Sequence, residues 1–177
     1  WIKRCQKILK KDGTLMVSGT LHVIYSIGYA MQQLNMKILN NITWEKPNPP
    51  PNLACRYFTH STETIIWSAK TLKSKHCFNY ELMKKINNGK QMKDVWKMTS
   101  PKTVEKVLGK HPTQKPIELL NRIILAATNV NDLILDPFNG SGTTGMACRL
   151  NKRGYIGIEL EDEYVELTKK RLSKSNF

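Results

Sequence analysis

Apolar positions along the chain follow two periods. Trp1, Ile2, Cys5, Ile8 and Leu9 share one face of a helix, and Asp12-Gly13 predicts its end. Thr14 to Ser18 reads as a buried strand, His22 to Leu34 as a second helix, and Met36 to Thr43 and Thr64 to Ser68 as further strands. Between those last two lies Trp44-Glu45-Lys46-Pro47-Asn48-Pro49-Pro50-Pro51-Asn52. This stretch is predicted to be irregular, because its prolines fix φ and remove backbone donors. Residues 71 to 110 have a mixed pattern, many charges and a turn at Asn87-Asn88-Gly89. Pro116 opens an amphipathic run from Ile117 to Ala127, and from there the order is helix, strand, helix, strand, helix. The last helix, Asp162 to Leu172, has acids first and Lys169-Lys170-Arg171 at its end, matching the helix dipole. Strands alternating with helices predict an α/β fold, a mostly parallel sheet with helices on both faces.

Composition narrows the partners. The 177 residues are 40% hydrophobic, enough for a core, and no apolar run approaches a membrane span. Cys5, Cys55, Cys77 and Cys148 are scattered without any C-x-x-C, so neither a zinc site nor a disulfide framework is indicated. A reducing cytoplasmic setting is expected, with the cysteines as buried small apolar groups. The formal net charge of +14 points to a polyanion. A lysine-biased genome would also raise the charge. The uneven distribution, eleven lysines against three acids between Lys70 and Lys110, is harder to attribute to such a bias.

The most specific chemistry lies in Leu133-Ile134-Leu135-Asp136-Pro137-Phe138-Asn139-Gly140-Ser141-Gly142-Thr143-Thr144-Gly145. An apolar strand ends in an acid, passes through a glycine turn and enters a helix. Such a corner lets backbone N–H groups approach a ligand closely. A second strand-like run, Tyr155-Ile156-Gly157-Ile158, ends in Glu159, seventeen residues after Gly142. An acid at that tip can accept hydrogen bonds from both hydroxyls of a ribose. Gly140-x-Gly142-x-x-Gly145 also fits the nicotinamide dinucleotide pattern, which alone is a weak signal. Asp136 opposes that reading, since a carboxylate sits poorly beside a pyrophosphate. It suits a ligand bearing a cationic amino group, such as the methionine end of S-adenosylmethionine.

The stretch from Asp136 to Thr144 resembles the cofactor motif of amino-type DNA methyltransferases. His111-Pro112-Thr113-Gln114-Lys115-Pro116 is similar to the block that precedes it in the β-arrangement of that family. In this circularly permuted order the catalytic half comes first, then target recognition, then the cofactor half. The resemblance implies a Rossmann-like methyltransferase sheet and S-adenosylmethionine as cofactor. It implies that Asp136 holds the amino group of the methionine end and Glu159 the ribose. Gly140 and Gly142 would allow close approach, with Ser141, Thr143 and Thr144 in the same loop. Phe138 and Leu160 would pack around the cofactor. The loop from His111 would close over the methionine end, with Thr113 or Lys115 at its carboxylate. Lys46, Asn48 and Arg56, with Thr59-His60-Ser61-Thr62-Glu63, look like the family's active-site loop and following strand, able to support a flipped base. Asp94-Val95-Trp96 is read as packing.

The implied organisation is a catalytic-half remnant over 1–70, a target-recognition segment over 71–110 and a cofactor half over 111–177. Lys93, Lys97 and Lys102 would meet double-stranded DNA. The family's catalytic D/N/S-P-P-Y/F tetrapeptide does not occur in the 177 residues; Asn48-Pro49-Pro50-Pro51 lacks its aromatic and follows the wrong strand. The resemblance therefore leads to one of two expectations. Either an N-terminal segment of some fifty residues belongs with this chain, or the chain is a truncated remnant that binds cofactor and DNA without activity. Alone, it is expected to be marginally stable, prone to pair with a second copy, and unable to methylate DNA.

Overall fold

The computed structural model describes residues 1–174; the last three residues, and so the end of the 111–177 half, lie outside the described residues. The chain forms two compact units. One comprises Trp1–Cys77 and Asn87–Met98, the other Phe78–Ile86 and the chain from Thr99 onward. The 71–110 stretch is thus shared between them. No helix among the described residues is long and apolar enough to cross a membrane.

In the first unit the elements are α1 (Ile2–Ile8), β1 (Thr14–Gly19), α2 (Leu21–Gln33), β2 (Lys37–Glu45), β3 (Thr62–Ala69) and β4 (Val95–Lys97). The four strands lie in the order β1-β3-β2-β4. Both β1 and β2 run antiparallel to β3, and only β4 pairs parallel, with β2. The α/β class stands, but the mostly parallel sheet does not describe this unit. The reason is topological. Helix α2 carries the chain from β1 to a parallel β2 one strand position away, and β3 fills the gap in the opposite direction. The return from β2 to β3 has no helix, so an antiparallel neighbour is within its reach.

Helix α1 ends earlier than Asp12-Gly13 predicts, because its downstream carbonyls are taken by another segment. Lys70 Nζ donates to Leu9 O at 2.5 Å and to Lys7 O at 3.3 Å, and Ser74 Oγ to Lys11 O at 2.7 Å. Helix α2 closes in a Schellman turn: Asn35 takes φ 53°, its N–H reaches Gln32 O, and Met36 N–H reaches Met31 O. Its inward residues Ile24 and Met31 join Ile2, Met36 and Ile66 in one core. The supposedly buried β1 is an edge strand, half-buried along most of its length, whereas β3 is buried from Ile65 through Ala69. The irregular segment begins at Lys46 rather than Trp44. Trp44 stays in β2, 2% exposed, and its indole donates to Met98 O at 2.8 Å. That bond recruits β4; of Asp94-Val95-Trp96, read as packing, only Trp96 is buried, while Asp94 and Val95 are exposed.

The second unit contains α3 (Tyr80–Ile86), a 3₁₀ turn (Thr103–Lys106), α4 (Ile117–Ala127), β5 (Leu133–Asp136), α5 (Thr143–Leu150), β6 (Gly154–Gly157) and α6 (Asp162–Lys174). Strands β5 and β6 pair in parallel, Leu133 opposite Gly154 and Asp136 opposite Gly157. Ile124 of α4 and Ala147 and Cys148 of α5 form a core against Ile134 and Tyr155. Burial pushes the Cys148 thiol up to about 12. The other cysteines depart from the expectation of burial: Cys5 and Cys77 are half-buried, and Cys55 is exposed. Helix α3, hidden in the sequence by its charges, is anchored by Asn79, whose side-chain amide donates to Leu125 O and Thr128 O at 2.8 Å each.

Met31 is fully enclosed in the first core. Met31→Ala should cost about 2–5 kcal/mol, while Tyr29→Ala on the open side of α2 should stay within about 0.5 kcal/mol. Urea unfolding of both variants checks this.

Candidate functional site

Three segments far apart in sequence meet at the glycine corner. Strand β5 delivers Asp136 to its tip, and the chain then turns through Gly140 (φ 51°) and Gly142 (φ 74°) before α5 begins. Strand β6 runs alongside: Asn139 N–H reaches Ile158 O at 3.0 Å, and Ile158 N–H reaches Asp136 O at 2.9 Å. This register sets Glu159 beside the corner. Glu159 Oε2 accepts Gly140 N–H at 2.6 Å, while Oε1 accepts Leu160 N–H at 2.8 Å and Glu161 N–H at 3.2 Å. The third segment is the His111–Pro116 loop. The His111 ring meets Tyr164 of α6 edge-on, with centroids 4.4 Å apart, and lies against Gly140, where an added Cβ would fall 3.1 Å from Nε2.

The two carboxylates are both partly engaged. Asp136 Oδ1 accepts Phe138 N–H at 3.1 Å, and Oδ2 accepts the Thr144 hydroxyl at 2.5 Å. An ionised carboxylate offers about four acceptor sites. In this geometry Asp136 has two to spare and Glu159 has one. The Glu159 carboxyl is held below its usual range. Its partial burial opposes this and is outweighed by the N–H groups of Glu161, Gly140 and Leu160 and by the nearby His111.

Not every residue expected at the site faces it. Ser141 and Thr143 are buried, 3% and 5% exposed, and turned inward: Arg171 Nη1 donates to Ser141 O at 2.5 Å and to Thr143 Oγ1 at 3.1 Å. The space beside Gly142 is filled by Thr168, which an added Cβ would meet at 2.6 Å. That glycine therefore serves the packing of α6 as well as the left-handed turn. Thr113 is exposed and bonds back to His111 Nδ1, and Lys115 is half-buried. Phe138 (65% exposed) and Leu160 (93%) offer open apolar surface next to the two carboxylates.

Behind the corner stands a network that sequence reasoning missed. Tyr155 donates to Asn139 Oδ1, Asn139 Nδ2 to Thr168 Oγ1 at 2.8 Å, and Thr168 Oγ1 to Gly140 O at 3.2 Å. Burial is the main cause raising the Tyr155 hydroxyl well above its ordinary value, with the charge of Asp136 adding to it. The overlooked signal is the stripe Tyr164, Leu167, Thr168 and Arg171, at i, i+3, i+4 and i+7 of α6. Arg171 belongs to this inward face, not to the solvated basic end of the helix.

The residues expected to meet DNA lie in both units. In the first, Lys46 is bound to Glu63 at 2.6 Å and lies 4.7 Å over the Trp44 ring. Asn48 and Arg56 are exposed on the 46–61 loop. Within it Asn52 folds a turn, its amide donating to Tyr57 O at 2.6 Å and its oxygen accepting Ala54 N–H at 3.1 Å. Lys93, just before β4, and Lys97, its last residue, are exposed, with Lys97 Nζ 3.7 Å from Glu45. Lys102 is exposed in the second unit.

A family model described as DNA methylase, N6_N4_Mtase, matches residues 1–170, and the chain belongs to that family. It is 60% identical over 175 residues to the type II methyltransferase M2.LlaDCHI of Lactococcus lactis subsp. cremoris, covering 98% of this chain and 65% of the relative. It is 58% identical to M2.DpnII of Streptococcus pneumoniae, covering 99% and 66%. The chain thus spans just under two thirds of the length of these curated relatives. Among solved structures, the M1.HpyAVI–SAM complex aligns with TM-score 0.82 at 38% identity, over 97% of this chain and 80% of that one. The cytosine-N4-specific PvuII DNA methyltransferase shares the fold, TM-score 0.82 at 21% identity, over 99% and 69%.

The lowered Glu159 carboxyl sets a pH dependence. A depressed folded value contributes stability above the unfolded value near 4.5 and loses it as pH falls through the folded value. The melting-temperature advantage of wild type over Glu159→Gln should hold from pH 7 to 5 and shrink below about 4.5. Thermal melts of both proteins from pH 7 to 3 read this directly.

Proposed function

We propose that this chain is the cofactor-binding and DNA-recognising part of an S-adenosylmethionine-dependent DNA amino-methyltransferase acting on adenine N6. One observation carries the reading: Glu159 and His111, from separate segments, converge on Gly140 beside an acid-tipped strand. Membership of the DNA methylase family supports it. So does the likeness to M1.HpyAVI, a protein whose crystal structure is a complex with SAM. Asp136, with two acceptor sites free, suits a multiply donating ammonium group. Glu159 suits a ribose hydroxyl; accepting both hydroxyls requires release of one of its backbone bonds. Phe138 and Leu160 supply apolar surface for the nucleoside. These features disfavour a nicotinamide dinucleotide, whose pyrophosphate would face Asp136.

The cofactor supplies an electrophilic methyl group when bound. The residues here bind and orient it, and orientation is a large part of what an in-line transfer needs. The 46–61 loop, stiffened by prolines and by the Asn52 turn, presents Asn48 and Arg56 to an extruded base. Lys46 supports that loop through Glu63 and Trp44. Lys93, Lys97 and Lys102 neutralise phosphates of double-stranded DNA. No residue of the 177 is assigned the transfer step itself.

Asp136→Ala and Glu159→Ala should each weaken S-adenosylmethionine binding about ten- to hundredfold, the loss of one hydrogen bond to a charged acceptor. Calorimetry with the cofactor, and with NADH as the competing ligand, decides it; unchanged affinity in both variants would sink the assignment.

DNA affinity should fall steeply with salt. Replacing Lys93, Lys97 and Lys102 by alanine should reduce the log–log slope by up to about 3. An unaltered slope in fluorescence anisotropy would place the DNA face elsewhere.

A further inference from the structure

Glu105 lies on the 3₁₀ turn, in a stretch whose sequence reads as surface charge. Its carboxylate oxygens serve two different segments. Oε1 accepts Lys102 N–H at 3.2 Å and closes the turn on itself. Oε2 accepts Ile117 N–H at 2.9 Å, the first amide of α4. Its backbone carbonyl accepts Gln114 Nε2 at 3.1 Å, from a side chain only 8% exposed. One residue therefore fastens the chain at 102, 114 and 117. The span enclosed by these ties carries His111, Thr113 and Lys115.

The first amides of a helix have no partner within it, and a carboxylate there also meets the positive end of the dipole. The tie to Ile117 is thus favourable at a place where the backbone needs an acceptor. Within the same span, Leu167 packs so closely on Gly109 that an added Cβ would lie 2.6 Å away. Further along, Gln114 N–H reaches His111 O at 3.2 Å. A loop fastened in this way loses little further freedom when a ligand arrives, and pre-ordering of that kind raises affinity.

We propose that Glu105 is a positioning residue for the cofactor site: it seats the His111–Pro116 loop against Gly140 without touching the cofactor. This rests on reading the glycine corner as the S-adenosylmethionine site. The corner has its own support in Arg171, whose buried guanidinium donates to Ser141 O and Thr143 Oγ1.

The test uses Glu105→Ala and Glu105→Gln in the whole chain, with calorimetry for S-adenosylmethionine and amide hydrogen exchange. Glu105→Ala should bind the cofactor about tenfold more weakly and lose protection from Lys102 to Ile117 while α5 and α6 keep theirs. Glu105→Gln retains one carbonyl acceptor and should recover affinity to within about threefold of wild type. Wild-type affinity in Glu105→Ala overturns the proposal. So does exchange that rises equally throughout α5 and α6, since the effect would then be general unfolding. Failure of the wild-type chain to bind the cofactor overturns the reading of the corner instead. In that case unchanged protection from 102 to 117 in Glu105→Ala still overturns the seating of the loop.

Discussion

Buried carbonyl groups must find donors, and the glycine corner meets this need only in part, through the Asn139 side-chain amide that reaches Gly140 O at 3.2 Å. Between β5 and α5 the chain turns through two left-handed residues, and Gly140 and Ser141 are left with carbonyls that the α5 ladder does not use. Thr168 and Arg171 answer them from α6. The rest of the second unit follows from this requirement. Helix α6 must lie close, so Gly142 can carry no side chain. With α6 in place, the Tyr164 ring meets that of His111, and the 111–116 loop has a wall to rest on. The open face of the corner is shaped by what supports it from behind.

This division of labour explains why the two acids of the site differ. Asp136 ends a strand and is bonded by Phe138 N–H just after it and by the Thr144 hydroxyl at the start of α5. Glu159 ends the neighbouring strand and reaches across to Gly140, joining the two strand tips. Asp136 keeps more acceptor capacity, while Glu159 is more deeply part of the frame. A ligand that engages both would be held by one acid that is free to bind and another already stabilising the loop it binds to.

The sequence was most legible where local chemistry decides the structure. The glycine corner, the proline-started α4 and the acid-to-base gradient of α6 all lie where they were predicted. It was least legible where a distant segment overrides local pattern. Helix α1 stops short because Lys70 and Ser74, some sixty residues on, bind the carbonyls beyond its end. Trp44 remains in a strand beside four prolines because its indole finds Met98 O. The antiparallel β3 could not be read from its own residues, since a strand buried on both faces has the same composition in either direction. Arg171 and Glu105 were hidden among charges that truly are exposed. Only their partners distinguish them, and a partner 30 residues away, such as Ser141, leaves no mark in local spacing.

The order β1-β3-β2 has a consequence for how the first unit comes together. β1 and β2 are joined by α2, yet share no ladder; Thr14 and Lys37 both face Ala69, each from one side of β3. Until that strand enters, the early helix and its two strands enclose an empty groove with no mutual hydrogen bonds across it. Their assembly thus waits on a segment made later in synthesis, and a long loop must close before the sheet gains most of its bonds. The first seventy residues are therefore expected to fold as a single cooperative step led by β3, not as a hairpin that grows outward strand by strand.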